Sequence, residues 1–249
     1  SDASGMLLLD VKNKCWSKEM MDICGITEDV LPKLYESYEV TGTLRSEIAA
    51  ELGFPETCKI VAGAGDNAAA AVGTGTVGDG KCNVSLGTSG TVFISSEKFC
   101  VDQKNSLHSF AHADGCYHLM GCILSAASCN KWWVENIIGR KDYDTVLGGI
   151  SELGDNPVTF LPYLMGERSP HNNPNARGMF IGMSMDTTQT QMSQAVLEGV
   201  AFAIRDSFEI AKSQGIQIER TKLCGGGAKS RIWRKIIANV LGIKVDILK

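Results

Sequence analysis

Apolar and polar positions change their rhythm along this chain, and the change divides it. Residues 1–55 hold short segments at mostly helical spacing: Ser17 is placed to cap a helix that ends at Gly25, and residues 46–52 form a second helix stopped by Gly53. No strand ladder is legible there, and the segment reads as the tail of a preceding domain with no Pro- or Ser-rich linker after it. From residue 58 the pattern alters. A β-prone run at 59–62 is broken by Gly63-Ala64-Gly65, and Asp66-Asn67 opens an alanine run that favours helix. Residues 81–86 and 91–95 read as strands joined by Gly87-Thr88-Ser89-Gly90, and 117–120 as a third strand. A helix through Ser128, Trp132, Trp133 and Ile137 carries aromatic and apolar residues on one face, and 157–174 is rich in loop. Thr188 starts a long helix, with Met192, Ala195, Val196, Gly199 and Ala203 at helical spacing until Gly215. Residues 222–224 form a strand, 225–227 a turn, 230–241 a helix and 243–247 the last strand.

The order is three strands in a meander, helix, helix, strand, helix, strand. It suits an α/β domain of the actin-like or ribonuclease-H-like kind, a mixed sheet with flanking helices, better than a purely parallel sheet. Hydrophobic content of 44% and charged content of 21% are those of a soluble globular protein. The net charge of −4 argues against a general nucleic-acid binder, but leaves room for a phosphorylated ligand held by backbone amides. Nine cysteines without a CxxC pair suggest mostly buried thiols in a reducing cytoplasm rather than a disulfide framework or a zinc ribbon. No apolar run approaches the roughly 20 residues of a membrane span, and no signal peptide opens the chain. A start without methionine and an end directly after a strand suggest part of a longer protein.

Several groupings carry candidate chemistry. Asp66 sits at a strand-to-helix turn behind two glycines, where it can serve as an N-cap or face a ligand. Gly63-x-Gly65-x-x-Ala68 satisfies the dinucleotide fingerprint but lacks the acidic residue about 20 positions on, and Gly73-x-Gly75-x-x-Gly78 follows a helix rather than a strand. His108, His112, Cys116 and His118 crowd together. No HExxH glutamate accompanies them and Gly115 breaks any helix that would align them, so they read as strand and loop residues with ordinary hydrogen bonds, and no metal site is assigned. The turn Gly87-Thr88-Ser89-Gly90 offers successive N–H groups and two hydroxyls to phosphate oxygens; Gly225-Gly226-Gly227-Ala228, between a strand and a helix, lets a base or ribose approach the main chain. Each turn could equally serve packing alone. Two such turns and a turn-borne carboxylate together point to phosphoryl transfer.

At this point the residues become recognisable. The run from Gly178 to Met183, seven further residues, then Gln191-Met192 and Ala195-Val196-Leu197-Glu198 resembles the second signature of the FGGY carbohydrate kinases. GAGDNAAAAVG, SLGTSGTVF, LHSFAHA, SAASC, FLPYLMGERSPHNNPNARG and CGGGAKSRIW are similar, in order, to the branch of that family that acts on xylulose; His171-Asn172-Asn173-Pro174 separates it from the gluconokinase-like and glycerol-kinase-like branches. The resemblance implies a two-domain actin-like fold, with residues 1–57 as the tail of the N-terminal sugar-kinase domain and 58–249 as a C-terminal ATP-binding domain cut short at its end. It implies Asp66 as catalytic base and sugar contact, Asn67 as a second sugar contact, and Gly87 and Thr88 as the loop over the terminal phosphates. Ala126 and Asn130 reach the nucleotide from a helix, and Gly226, Gly227, Ala228 and Arg231 form the adenine and ribose turn. Arg231 stands where glycerol kinases have asparagine. Mg2+ is the implied cofactor with ATP as donor, and the partners are ATP and a small sugar, neither nucleic acid nor membrane, with room for a homodimer. D-xylulose is the expected acceptor; another ketose or polyol, a non-catalytic actin-like nucleotide-binding module and a nicotinamide-dependent oxidoreductase are the alternatives. The family's N-terminal phosphate loop and most of its sugar pocket are not in this sequence, so this stretch alone is expected to be inactive.

Overall fold

Short paired strands, not helices alone, open the computed structural model, which describes residues 1–104, 106–151 and 153–247. After a 3-10 turn (Asp2–Met6), β1 (Leu9–Asp10) and β2 (Cys15–Trp16) pair antiparallel. Next comes α1 (Lys18–Cys24), where the Ser17 hydroxyl accepts from the Met20 N–H and Gly25 closes the last turn in the left-handed region, at φ 66°. Then β3 (Val40–Thr43), α2 (Ser46–Leu52) and β4 (Lys59–Val61) follow, and β3 pairs with β4. Two strand pairs thus stand where the sequence shows no ladder. Each strand has two to four residues, and β3 and β4 are exposed along their whole length, so no alternation of burial marks them. Among the described residues β4 pairs only with antiparallel β3. Among the described residues the following helix α3 (Asp66–Gly73) therefore leads from β4 to no parallel neighbour of it, and the dinucleotide reading of Gly63, Gly65 and Ala68 lacks its βαβ context there.

The main sheet begins with β5 (Cys82–Leu86) and β6 (Gly90–Ser96), the expected hairpin, followed by β7 (His108–Ala111) and β8 (Tyr117–Ile123). A short α4 (Ala127–Lys131) runs on as a π-helical turn (Trp132–Ile137), and α5 (Tyr143–Gly148) comes next. Trp133 is buried as expected, whereas Ile137 points to solvent because the wider turn rotates it off the apolar face. β9 (Thr159–Leu161) lies within the loop-rich stretch and pairs antiparallel with β10 (Met179–Ile181). The long helix α6 (Gln189–Ser213) is entered through a capping box between Thr188 and Gln191. β11 (Arg220–Cys224), α7 (Arg231–Leu241) and β12 (Lys244–Ile247) complete the chain; positions 248 and 249, the last of the expected domain 58–249, lie outside the described residues.

Six strands share one sheet in the order β12-β11-β5-β6-β8-β7: from β5 through β6 and β8 to β7 each strand is antiparallel to its neighbour, and β11 runs parallel to both β5 and β12. This is the mixed, helix-flanked sheet expected from the order of elements, with β7 an additional edge strand. Its core is α6, whose Val196, Val200, Ile204 and Phe208 are buried with Val84, Val92, Ile94 and Leu223 of the sheet. Small residues set how closely this helix approaches. A Cβ on Gly121 would come 2.6 Å from Ser207 Oγ, and one on Gly199 would come 2.2 Å from the Phe160 carbonyl oxygen. Two indoles are tied to α6 as well, Trp133 Nε1 donating to Ser193 Oγ at 2.8 Å and Trp233 Nε1 to Leu197 O at 3.0 Å.

Two chemical expectations need correction. Of the nine thiols, Cys82 and Cys129 are buried, Cys15 and Cys24 are exposed and five are intermediate; all are free. Strand position and tertiary packing, not residue type, decide which thiols the core takes. Among the histidines, His112 has ordinary partners, its Nε2 lying 2.9 Å from Thr76 O, but His118 stacks on Phe93 and its Nδ1 has no partner among the described residues. Burial pushes the His118 pKa down to about 3, so the ring is neutral at physiological pH.

Candidate active site

Two glycine turns are neighbours because their strands are. β5 and β11 run parallel with Ser85 opposite Cys224, so the turns that leave them, at Gly87 and at Gly225, emerge side by side from the same end of the sheet. Gly225 has φ 83°, and a Cβ there would lie 2.7 Å from the Leu86 carbonyl group; only glycine lets the second turn pass so close to the first. The start of α4 docks on the first turn from the other side. Ala127 N–H donates to Gly87 O at 2.8 Å, and Thr88 O accepts from Ala126 N–H at 3.0 Å and from Ser128 Oγ at 2.7 Å. With its carbonyls held this way, the turn leaves the Thr88 and Ser89 side chains exposed.

A cavity of about 1040 Å³ opens between these turns, α4, α5 and the start of α7. Of the residues expected at a nucleotide, Thr88, Asn130, Gly226, Gly227 and Arg231 line it. Gly87, Ala126 and Ala228 lie behind the lining, where Gly87 and Ala126 fix the turn and Ala228 is buried. The cavity also takes in residues that sequence reasoning missed: Ser128, Lys131, Lys229 and Lys235 around its polar side, and Tyr143, Leu147 and Ile150 on its apolar side. The helical spacing of Tyr143, Val146, Leu147 and Ile150, with Asp142 as a cap for Thr145 N–H, is the signal that finds α5. The Tyr143 hydroxyl donates to Glu135 Oε1 at 2.7 Å; burial, reinforced by that carboxylate, pushes its pKa up to about 12 and keeps it a neutral wall of the cavity.

The lining carries a positive excess, which suits an anionic ligand. Lys131, Lys229, Arg231 and Lys235 face a single carboxylate, Asp144, in the lining. Asn130 is 6% exposed, and its Oδ1 has no partner among the described residues. A buried amide oxygen left unpaired costs about 1–3 kcal/mol, and this one belongs to a residue of the cavity's lining.

The glycine triplet divides its labour in a way the sequence does not show. A Cβ on Gly226 would meet nothing within 4 Å, whereas one on Gly227 would press on Leu86 Cβ and on the Trp233 ring, both at 2.9 Å. Gly227 therefore packs against β5 and α7 at the cavity's edge, and Gly226 is the position with open space before it. Accordingly, Gly226→Val is expected to weaken nucleotide binding at least about tenfold with little change in melting temperature, while Gly227→Val lowers the melting temperature through overpacking worth about 1–3 kcal/mol. Calorimetric titration with a non-hydrolysable ATP analogue and thermal denaturation of both variants check this; loss of stability confined to Gly226→Val would reverse the assignment.

Asp66 and Asn67 are exposed on the first turn of α3 and do not line that cavity. Asp66 is not the cap of its helix. Gly65 occupies the cap position, and Asp66 is the first helical residue, its Oδ1 accepting from Asn67 N–H at 2.7 Å and from Asn67 Nδ2 at 3.1 Å. Oδ2 has no protein partner among the described residues. A second carboxylate is close by, because a Cβ on Gly65 would lie 2.9 Å from Asp2 Oδ1.

Comparison with known proteins places this geometry among characterised relatives. The family model described as the C-terminal domain of the FGGY family of carbohydrate kinases matches residues 82–249, and that of the N-terminal domain matches residues 1–73. A xylulose kinase of Escherichia coli (strain K12) is 41% identical over 249 residues, 99% of this chain and 51% of that protein. One from Bacillus subtilis (strain 168) is 33% identical over 98% of this chain and 50% of its own length. Among solved structures, a xyloylose kinase from Brucella ovis superposes with a TM-score of 0.94 at 40% identity, covering 100% of this chain and 52% of that one. A gluconate kinase from Lactobacillus acidophilus gives 0.90 at 27% identity, with 99% and 51% covered. The chain spans about half the length of the curated relatives it matches.

Proposed function

This chain belongs to the FGGY family of carbohydrate kinases, and on that premise we propose that its protein transfers the γ-phosphoryl group of ATP to the 5-hydroxyl of D-xylulose. The observation that carries the chemistry is the pair of adjacent turns at the ends of β5 and β11, walled by basic residues. The choice of sugar rests on the relatives, together with the loop from His171 to Pro174.

In this reading Gly87 and Thr88 hold the terminal phosphates, Ala126 and Asn130 approach the nucleotide from α4, and Gly226, Gly227, Ala228 and Arg231 shape the adenine and ribose end. Gly87, Ala126 and Ala228 act from behind the lining. Asn67 contacts the sugar. Asp66 accepts the proton of the sugar hydroxyl as the new O–P bond forms and the bond from the γ-phosphorus to ADP breaks. The free Oδ2 of Asp66 gives that proton a destination. The described residues include no cluster of three or more His, Cys, Asp or Glu side chains suited to a metal. Mg2+ is held largely by substrate phosphates and water with one or two carboxylates; Asp66 and Asp2 are the carboxylates beside the α3 turn, and the ion would supply charge neutralisation on the phosphates. No helix among the described residues is long and apolar enough to cross a membrane, and the proposed place of action is the cytoplasm.

The test is ATP consumption by the full-length protein across D-xylulose, other ketoses, polyols and gluconate. D-xylulose should give the highest kcat/KM. A higher value for another acceptor would move the assignment within the family, and no turnover with any of them would support a nucleotide-binding module instead.

A further inference from the structure

A second cavity, of about 500 Å³, lies away from the nucleotide site, against the edge strand β7. Its polar lining consists of Arg168, His108, Ser169, Ser106, Ser109 and Asn172, with Phe99, Val101 and Leu107 supplying an apolar wall. No carboxylate lines it, and Arg168 has no ion-pair partner among the described residues. Arg168 is exposed and is held at one point. Its Nε donates to His108 Nε2 at 3.1 Å, which leaves the imidazole proton on Nδ1, and its terminal guanidinium nitrogens have no acceptor among the described residues. The next residue is anchored too, Ser169 N–H donating to Cys122 O of β8 at 2.9 Å. Ser169 is 0% exposed, yet its hydroxyl has no partner among the described residues. The nearby carboxylates are turned to backbone amides: Glu167 Oε1 accepts from Leu124 and Arg168 N–H, and Asp102 accepts from Ser106 N–H.

We propose that this cavity binds a small phosphate monoester, its phosphate on Arg168, the Ser169 hydroxyl and His108, and its carbon body against Phe99, Val101 and Leu107. A guanidinium fork with a hydroxyl and an imidazole N–H offers donors from three directions, which suits a tetrahedral phosphate. The volume exceeds what a bare phosphate fills, and the apolar wall can cover an organic body. The site also has a route to the nucleotide wall. Glu167, beside Arg168, holds Leu124 N–H, and two residues on from Leu124 is Ala126, which binds the Thr88 carbonyl.

The probes are inorganic phosphate and D-ribose 5-phosphate, titrated calorimetrically into the purified protein, into Arg168→Gln and Ser169→Ala, and into Gly226→Val as a control for the nucleotide site. Binding should weaken about tenfold or more in Arg168→Gln and in Ser169→Ala and stay unchanged in Gly226→Val. Tighter binding of the ester than of inorganic phosphate identifies an esterified ligand; equal binding assigns the site to free phosphate. If Arg168→Gln does not fold, Ser169→Ala, which removes a single oxygen, decides alone. Binding indifferent to both substitutions, or no binding of either probe to the unaltered protein, overturns the proposal.

Discussion

Replacing Asp66 by asparagine in the full-length protein is expected to lower kcat by roughly 10² to 10⁴, the usual contribution of a positioned general base, while the affinity for sugar changes little. The structure sharpens this expectation, because Asp66 is the first residue of α3 and Gly65 is its cap. Asparagine keeps an oxygen that can accept from the Asn67 N–H. What it loses is the negative charge in the first turn, worth about 0.3–1 kcal/mol against the helix dipole. A stability change of that size beside a large fall in kcat separates catalysis from helix stabilisation. Steady-state kinetics, sugar affinity and melting temperature of this one variant decide the matter, and a near-normal kcat would remove Asp66 from the chemistry.

Gly199→Ala should cost about 3 kcal/mol of stability, although the same change inside an ordinary helix stabilises by about 1 kcal/mol. The sign reverses because an added Cβ would sit 2.2 Å from the Phe160 carbonyl oxygen and 3.1 Å from its carbon, both backbone atoms of β9 with little freedom to yield. Either α6 lifts from β9 or the strand moves, and both disturb a core in which Phe160 and Val200 are buried together. Urea denaturation at constant m-value reads the loss directly. Gly73→Ala, at a helical position with nothing within 4 Å, is the control and should be neutral or slightly stabilising. Equal midpoints for the two variants would mean that the β9 backbone gives way freely.

These two residues also show what the sequence makes legible. The elements of the sheet's centre and its covering helix could be read because burial imposes a pattern on them: β5 as an alternation of apolar and polar residues, β6 as a short apolar run at its middle, α6 and α7 as one-sided helices between a recognisable cap and a glycine. β1 to β4 could not, since strands of two to four residues that pair at the surface leave no such trace. Of the cavity beside the two glycine turns, the turn at Thr88 and the Gly226 turn were legible from glycine placement. The wall built by α5 lay outside that signal, because its residues serve the cavity through tertiary position rather than through a motif. Glycine has no side chain to betray its orientation, so the separate duties of Gly226, facing open space, and Gly227, facing Trp233, follow only from coordinates.

The parallel pairing of β5 with β11 has a consequence for how the protein is made. Thr221 and Cys82, partners across that pair, are 139 positions apart in the chain. At 5–20 residues per second, a ribosome needs roughly 7–28 s to travel that distance, and throughout that interval one edge of β5 waits without its neighbour. The strand carries Cys82, Val84 and Leu86, destined for the core, on one face, and its open edge presents unpaired N–H and C=O groups to any other nascent strand. A nucleotide cannot protect it, since the second glycine turn does not yet exist. Once β11 arrives, a ligand at a hundred times its Kd adds about 2.7 kcal/mol to the finished domain alone. The vulnerable period is therefore one for chaperones to cover, and the ligand's protection begins where theirs ends.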